Sequence, residues 1–369
     1  LLHRPAELKR MREQGKTVAA YFPGGYVPEE IIHASGAVPI SFIYGGDPES
    51  AEAAHSAITR FVCPFAKAQI GYRFLGDQPY YETFNLLFAP ITCQHLRRVA
   101  DMYNYYTKVD VFRMGVPFQY NTDHGINYYI EVLKSMARKL EQVTGRSISK
   151  DEIAESIKLY NRMRQLFKQI AIMRKNLNFP ISSMDFLKLN HASYLADPVF
   201  MVEKLESMCE EFQQSNAPLR KGPRILLVGP NLALGDYKIP QLIEEAGGNV
   251  VIEHMDEGVR WYWDDVKDLG DVWESLAVSY LQKKLPCVYM VKAHGARLSF
   301  LIELAREYEV DGIVWYQLKY CETADIEAFY MAQKLKEADI PMLKLESNYD
   351  VSDRGPLKTR IGAFLETLE

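Results

Sequence analysis

Three cysteines stand where a strand or loop is expected to give way to a helix: Cys63 in Phe61-Val-Cys-Pro-Phe-Ala-Lys, Cys93 in Pro90-Ile-Thr-Cys-Gln-His-Leu and Cys321 in Leu318-Lys-Tyr-Cys-Glu-Thr-Ala. A thiolate at a helix start meets unpaired backbone N–H groups and the positive end of the helix dipole. That setting lowers a cysteine pKa and suits the residue to hold metal. If the three meet in space, they form a tricysteine centre with one coordination position open. Their spacings, 30 and 228 residues, match no short zinc or ferredoxin signature, so only the fold can bring them together. The plain alternative is that a free cysteine is a small buried hydrophobe. Cys209, near Leu205 and Phe212 on a helical stretch, and Cys287, between Pro286 and Val288-Tyr-Met-Val, are assigned to the core on that ground. For the other three, residue pattern alone leaves both readings open.

The chain of 369 residues, 48% hydrophobic and 25% charged, can bury large cores and should divide into two or three domains. The net charge of −5 is spread along the chain, without the basic face of a nucleic-acid binder or a polybasic membrane patch, so neither nucleic acid nor membrane is an expected partner. No apolar run approaches the roughly 20 residues that cross a bilayer. Nothing in Leu1 to Gly15 resembles a signal peptide, and the expected location is the cytoplasm. Five cysteines, far apart, argue against a disulfide framework.

The elements that must position the cysteines alternate. Thr17 to Phe22, Val38 to Ile43, Phe84 to Ala89 and Val109 to Met114 read as strands, with helical patterns between them that include Pro28 to Gly36. From Asp123 the pattern changes to long helices, Ile126 to Thr144 and Ser149 to Lys175, whose charges read as a solvated face. After a Pro- and Gly-punctuated linker at Gln213 to Gly222, strands resume at Arg224, Asn249, Gly312 and Pro341. The expected fold is α/β: two Rossmann-like, flavodoxin-like domains with parallel sheets, joined by a helical segment. The expected boundaries are residues 1–122, with Cys63 and Cys93; 123–222, the helical bridge and linker; and 223–369, with Cys321. The two α/β halves can be distant structural duplicates. Ligands in such sheets gather at the carboxyl ends of strands, where all three cysteines are predicted to lie.

The order of several stretches resembles the 2-hydroxyacyl-CoA dehydratase and benzoyl-CoA reductase family, in its catalytic-component subunits and not its ATP-hydrolysing activator. They are Tyr26-Val-Pro-Glu-Glu-Ile-Ile-His-Ala-Ser-Gly-Ala-Val-Pro, Cys63-Pro-Phe-Ala-Lys-Ala-Gln-Ile-Gly, Cys93 with its helix, Val116-Pro-Phe-Gln, Val310-Asp-Gly-Ile-Val-Trp-Tyr-Gln-Leu-Lys-Tyr-Cys and Ile340-Pro-Met-Leu-Lys-Leu-Glu-Ser-Asn-Tyr, followed by Arg360. The resemblance implies one 4Fe-4S cluster per chain on Cys63, Cys93 and Cys321, with one iron open to water, a side chain or a substrate oxygen. It also implies pairing with a second homologous subunit or with another copy of the same chain. A homodimeric activator with its own iron–sulfur cluster would use ATP to deliver a low-potential electron, and an acyl-CoA thioester would accept it as a ketyl radical. Dehydration and reduction both fit, and the acyl group stays open. Two other readings stand beside it: a non-catalytic electron-transfer or scaffold subunit, and a homodimeric double-cubane reductase of small molecules. Relatives with a double cubane carry extra cysteines near the first strand and in the second α/β unit, where this chain reads Ala20-Tyr-Phe-Pro-Gly-Gly and Glu253-His-Met-Asp-Glu. A second cubane within one chain is not expected; one shared between chains stays open.

His95, two residues past Cys93, is the candidate catalytic side chain, as a donor to a cluster sulfide or substrate oxygen; the alternative is an ordinary helix-surface histidine. His33 reads as packed or capping, and Glu29 and Glu30 as acids that favour a helix start. Lys67, Arg97 and Lys319 are candidates to offset cluster charge or face acyl-CoA phosphates, or else plain surface charge. Val228-Gly-Pro-Asn-Leu-Ala-Leu-Gly-Asp lacks the glycine spacing of a nucleotide loop, so no nucleotide is expected in this chain. Trp261-Tyr-Trp reads first as core or interface packing and second as pocket lining.

Overall fold

The computed structural model describes residues 2–215 and 217–368. The first sheet contains β1 (Val18–Tyr21), β2 (Val38–Ser41), β3 (Leu86–Ile91) and β4 (Asp110–Gly115), all parallel, in the order β2-β1-β3-β4. The second contains β5 (Arg224–Val228), β6 (Asn249–His254), β7 (Gly312–Leu318) and β8 (Met342–Ser347), also all parallel, in the order β6-β5-β7-β8. The orders are the same pattern twice, so the halves are structural repeats. Burial explains why the short apolar runs are strands: every residue of β1 and β7 is buried, as central strands covered on both faces require, while β4 and β8 carry exposed positions as edges do. In each sheet the order reverses beside the first strand, at β1/β3 and at β5/β7, which opens a crevice at the carboxyl ends.

The third strand begins two residues later than expected. Phe84 is drawn out of it into an aromatic cluster with Phe42, Tyr81 and Tyr103, and β3 instead extends to Ile91, directly before Thr92 and Cys93.

Between the sheets run the helices Asp123–Thr144, Lys150–Met173, Ser183–Ser193 and Pro198–Gln214. The second opens with a capping box between Ser149 and Glu152, which satisfies two otherwise orphaned N–H groups. The expectation that the charges of this segment are solvated fails for two arginines. Arg164 pairs with Glu30 at 2.5 Å, both side chains 0% exposed, and Arg174 pairs with Glu253 at 2.5 Å, also buried. Glu29 and Glu30 are likewise more than helix-start acids: Glu29 accepts from Tyr21, Trp261 and Tyr280, and Glu30 from Tyr280 and Arg164. A buried charge survives only with such partners, and these tie the first sheet's helix to the bridge and to the second unit.

The sheet units also touch directly. The N–H of Leu234 donates to the Ile43 carbonyl at 2.8 Å and that of Gly45 to the Leu234 carbonyl at 3.1 Å. A Cβ on Gly235, whose φ is +113°, would stand 2.3 Å from the Gly45 carbonyl oxygen. Gly235→Ala is therefore expected to lose at least about 1–2 kcal/mol from backbone conformation alone, with the clash in addition. A melting temperature equal to wild type would show that this crossing does not hold the units together.

Candidate metal centre

Cys63, Cys93 and Cys321 are each the N-cap residue of a helix, Pro64–Leu75, Gln94–Tyr106 and Glu322–Glu337 respectively. Cys93 follows β3 and Cys321 follows β7, the equivalent strands of the two sheets. All three line one cavity of about 120 Å³. The carboxyl ends of both sheets border it: Pro23 and Gly24 after β1, Asn231 after β5, and Asp256 after β6.

One donor meets a sulfur: the Ala66 N–H lies 3.5 Å from Cys63 Sγ. Tyr289 and Thr323 stand on the same wall, with Thr323 Oγ1 donating to the Tyr289 hydroxyl at 3.1 Å. His95 also lines the cavity. Its Nδ1 accepts the Cys63 backbone N–H at 3.3 Å, which leaves Nε2 to carry the proton of the neutral ring. Burial, against a smaller opposing effect of Glu322, holds its pKa below the ordinary 6.5.

A helix start does not lower the thiol pKa at Cys63 or Cys321, contrary to expectation. Burial, and then the neighbouring Cys93 and Cys321, push Cys63 well above the usual thiol range; burial lifts Cys321 to about 12. Removal of water costs a thiolate more than the helix end returns. Such thiols stay protonated until a cation displaces the proton. Among the described residues, no three Cys, His, Asp or Glu side chains converge to hold a single metal ion.

The other sequence candidates divide. Lys67 is buried with Nζ 3.2 Å from His55 Nε2 and is only a minor counterweight to the raised Cys63 pKa. Arg97 and Lys319 are exposed. His33 packs against Ser156, Nδ1 to Oγ 2.9 Å. Trp261 donates to Glu29 at 3.0 Å, in the packing role. Cys209 is buried on its helix, as expected. Cys287 is buried too, yet it also lines the cavity, with its N–H donating to the Tyr26 hydroxyl at 3.0 Å; burial pushes its thiol up to about 11. Its place on the wall was missed because the loop Cys287–Met290 reaches across from the second unit and carries no local signal. Asp256, Tyr289 and Thr323, all on the wall, were missed for the same reason.

A sequence profile of the family described as 2-hydroxyglutaryl-CoA dehydratase, D-component, matches residues 25–368. A protein of Escherichia coli strain K12 that is named as a dehydratase subunit is 29% identical, over 93% of this chain and 89% of the relative. One of the subunits of benzoyl-CoA reductase from Thauera aromatica is 24% identical, over 97% and 92%. The beta subunit of (R)-2-hydroxyglutaryl-CoA dehydratase of Acidaminococcus fermentans is 21% identical, over 98% and 95%.

Proposed function

Because the chain belongs to the 2-hydroxyglutaryl-CoA dehydratase D-component family, we propose that it is the iron–sulfur subunit of a dehydratase or reductase of acyl-CoA thioesters. It would receive its electron from an ATP-hydrolysing activator and work paired with a homologous subunit or a second copy of itself. The observation that carries this reading is that Cys63, Cys93 and Cys321, N-caps drawn from both sheet units, line one cavity.

The donor set fits a polynuclear centre. Three thiols share one cavity, and thiolates are the ligands that iron–sulfur clusters take. Cys63, Cys93 and Cys321 would hold a 4Fe-4S cluster, which when bound supplies one-electron transfer and one iron without a protein thiolate. The chain's own contribution is threefold. The Ala66 N–H, at the start of Pro64–Leu75, stabilises thiolate charge on Cys63. The apolar wall, including Pro23, Phe65 and Val288, limits water. His95, locked by its Nδ1 acceptor bond, keeps an Nε2 proton to donate to a substrate oxygen. Among the described residues no helix is long and apolar enough to cross a membrane.

Anaerobic purification is expected to yield about four iron and four sulfide per chain, with most of both lost in Cys93→Ala while the far-UV circular dichroism is retained. A chain that takes up one zinc, or no metal under those conditions, would overturn the proposal.

A further inference from the structure

Cys287 is a fourth cysteine on the wall of the cavity that Cys63, Cys93 and Cys321 line, and the internal repeat makes it the counterpart of Cys63. The two sheets follow the same strand order. In the first unit Cys93 follows β3, and Cys63 stands ahead of the helix that leads to that strand; in the second, Cys321 follows β7, and Cys287 stands ahead of the helix Ala293–Glu307 that leads to it. Cys63 precedes Cys93 by 30 residues, and Cys287 precedes Cys321 by 34. The cavity is therefore bordered by two cysteine pairs, one from each unit. Cys209, by contrast, sits on the bridge helix Pro198–Gln214. The backbone at Cys287 is fixed by buried side chains: Arg260 Nε donates to the Leu285 carbonyl at 2.7 Å, Arg297 Nη1 donates to the Pro286 carbonyl at 3.0 Å, and Tyr26 Oη accepts the Cys287 N–H at 3.0 Å. Tyr26 belongs to the first unit, so both units hold this cysteine at the cavity, whatever fills it.

Resting on the reading that the other three thiols hold a 4Fe-4S cluster, we propose that Cys287 is a reversible fourth ligand, which caps the remaining iron while no substrate is bound. Four thiolates are the usual complement of such a cluster, and Cys287 is the further thiol that this chain brings to the same wall. On capping, the Cys287 S–H bond breaks, its proton passes to water and an iron–sulfur bond forms; no electron is transferred. When a substrate oxygen takes that iron, the bond to Cys287 breaks and the thiol regains a proton from water. Cys287 thus closes the centre to adventitious ligands in the resting chain and yields its place to substrate.

The test is Mössbauer spectroscopy of anaerobically purified, isotope-enriched full-length chain without substrate, read together with its iron content. Wild type is expected to hold all its iron in sulfur-only coordination. Cys287→Ala, at unchanged iron content, is expected to show about one quarter of the iron as a distinct, oxygen-ligated site. That variant should also pass more readily to a three-iron form on mild oxidation, followed by electron paramagnetic resonance. A reversible cap leaves three thiolates to hold the cluster, so should Cys287→Ala lose its iron, Cys287→Ser decides: a distinct oxygen-ligated quarter supports the cap, and a wild-type spectrum or a second loss of iron overturns it. A distinct quarter already present in wild type overturns the cap, as does a Cys287→Ala spectrum identical to that of wild type; both leave the cluster reading standing. Absence of iron from the wild-type chain is a different failure, that of the cluster reading itself, and overturns both.

Discussion

Arg164→Met is expected to lower the stability of the fold by about 3–5 kcal/mol near neutral pH, the cost of removing one partner from a buried ion pair. The guanidinium is wholly buried and meets Glu30 Oε1 at 2.5 Å, the Tyr280 hydroxyl at 2.9 Å and Asn161 Oδ1 at 2.9 Å. Methionine fills similar space but supplies no charge, so the Glu30 carboxylate would remain desolvated with the Tyr280 hydroxyl donating at 2.7 Å. Lys284, also buried beside this network, is held down to about 7 by burial and then by the charge of Arg164; the variant removes only the second of these, so Lys284 regains charge and offsets part of the loss. Adding Glu30→Gln removes the orphaned charge and is expected to recover much of the stability, because replacing both members of a buried pair is far milder than replacing one. Urea denaturation of the two single variants and the double variant measures this. A single-variant loss below about 1 kcal/mol, or strictly additive effects, would show that the network does not clamp the bridge to the two sheet units.

A second large effect concerns acid. His254 ends β6 with both ring nitrogens buried and unpartnered, its ring against Phe300. Burial, followed by the positive charges of Arg297 and Arg260, lowers its pKa to about 3. An unfolded histidine titrates near about 6.5. The folded value lies below the unfolded one, so the unfolded chain takes up the proton first. The stability that neutral His254 permits is complete above about pH 6.5 and is lost as pH falls toward 3. Between pH 8 and pH 5 the loss comes to about 2 kcal/mol. The wild-type profile conceals it, because burial raises Asp236 to about 7 and Glu257 to about 8, and these carboxyls favour folding as pH falls over the same window. The difference between variants exposes it: relative to wild type, His254→Phe should be about 2 kcal/mol more stabilising at pH 5 than at pH 8. A pH-independent difference would mean that His254 is hydrated or paired in the folded state.

The local pattern of the sequence determined much of what positions the centre. Apolar runs alternating with helical periods predict parallel sheets, and both sheets are parallel. Cys63 before Pro64 reads as a helix start, and it is the N-cap of Pro64–Leu75. The family, too, was legible in the order of short stretches, and the profile match over residues 25–368 agrees. These signals are local: a cap or a strand period depends on neighbours a few residues away.

Tertiary structure alone decided the rest. That Cys63, Cys93 and Cys321 share a cavity, and that Cys287 and Tyr289 join its wall, follow from the facing of two sheet ends, which no spacing encodes. Glu30 and Arg164 look like ordinary surface charges because their pairing joins residues 134 positions apart. The thiol pKa values reversed for the same reason. A helix start is written in the chain, but the loss of water around a sulfur is a property of everything packed against it, and desolvation is the larger energy.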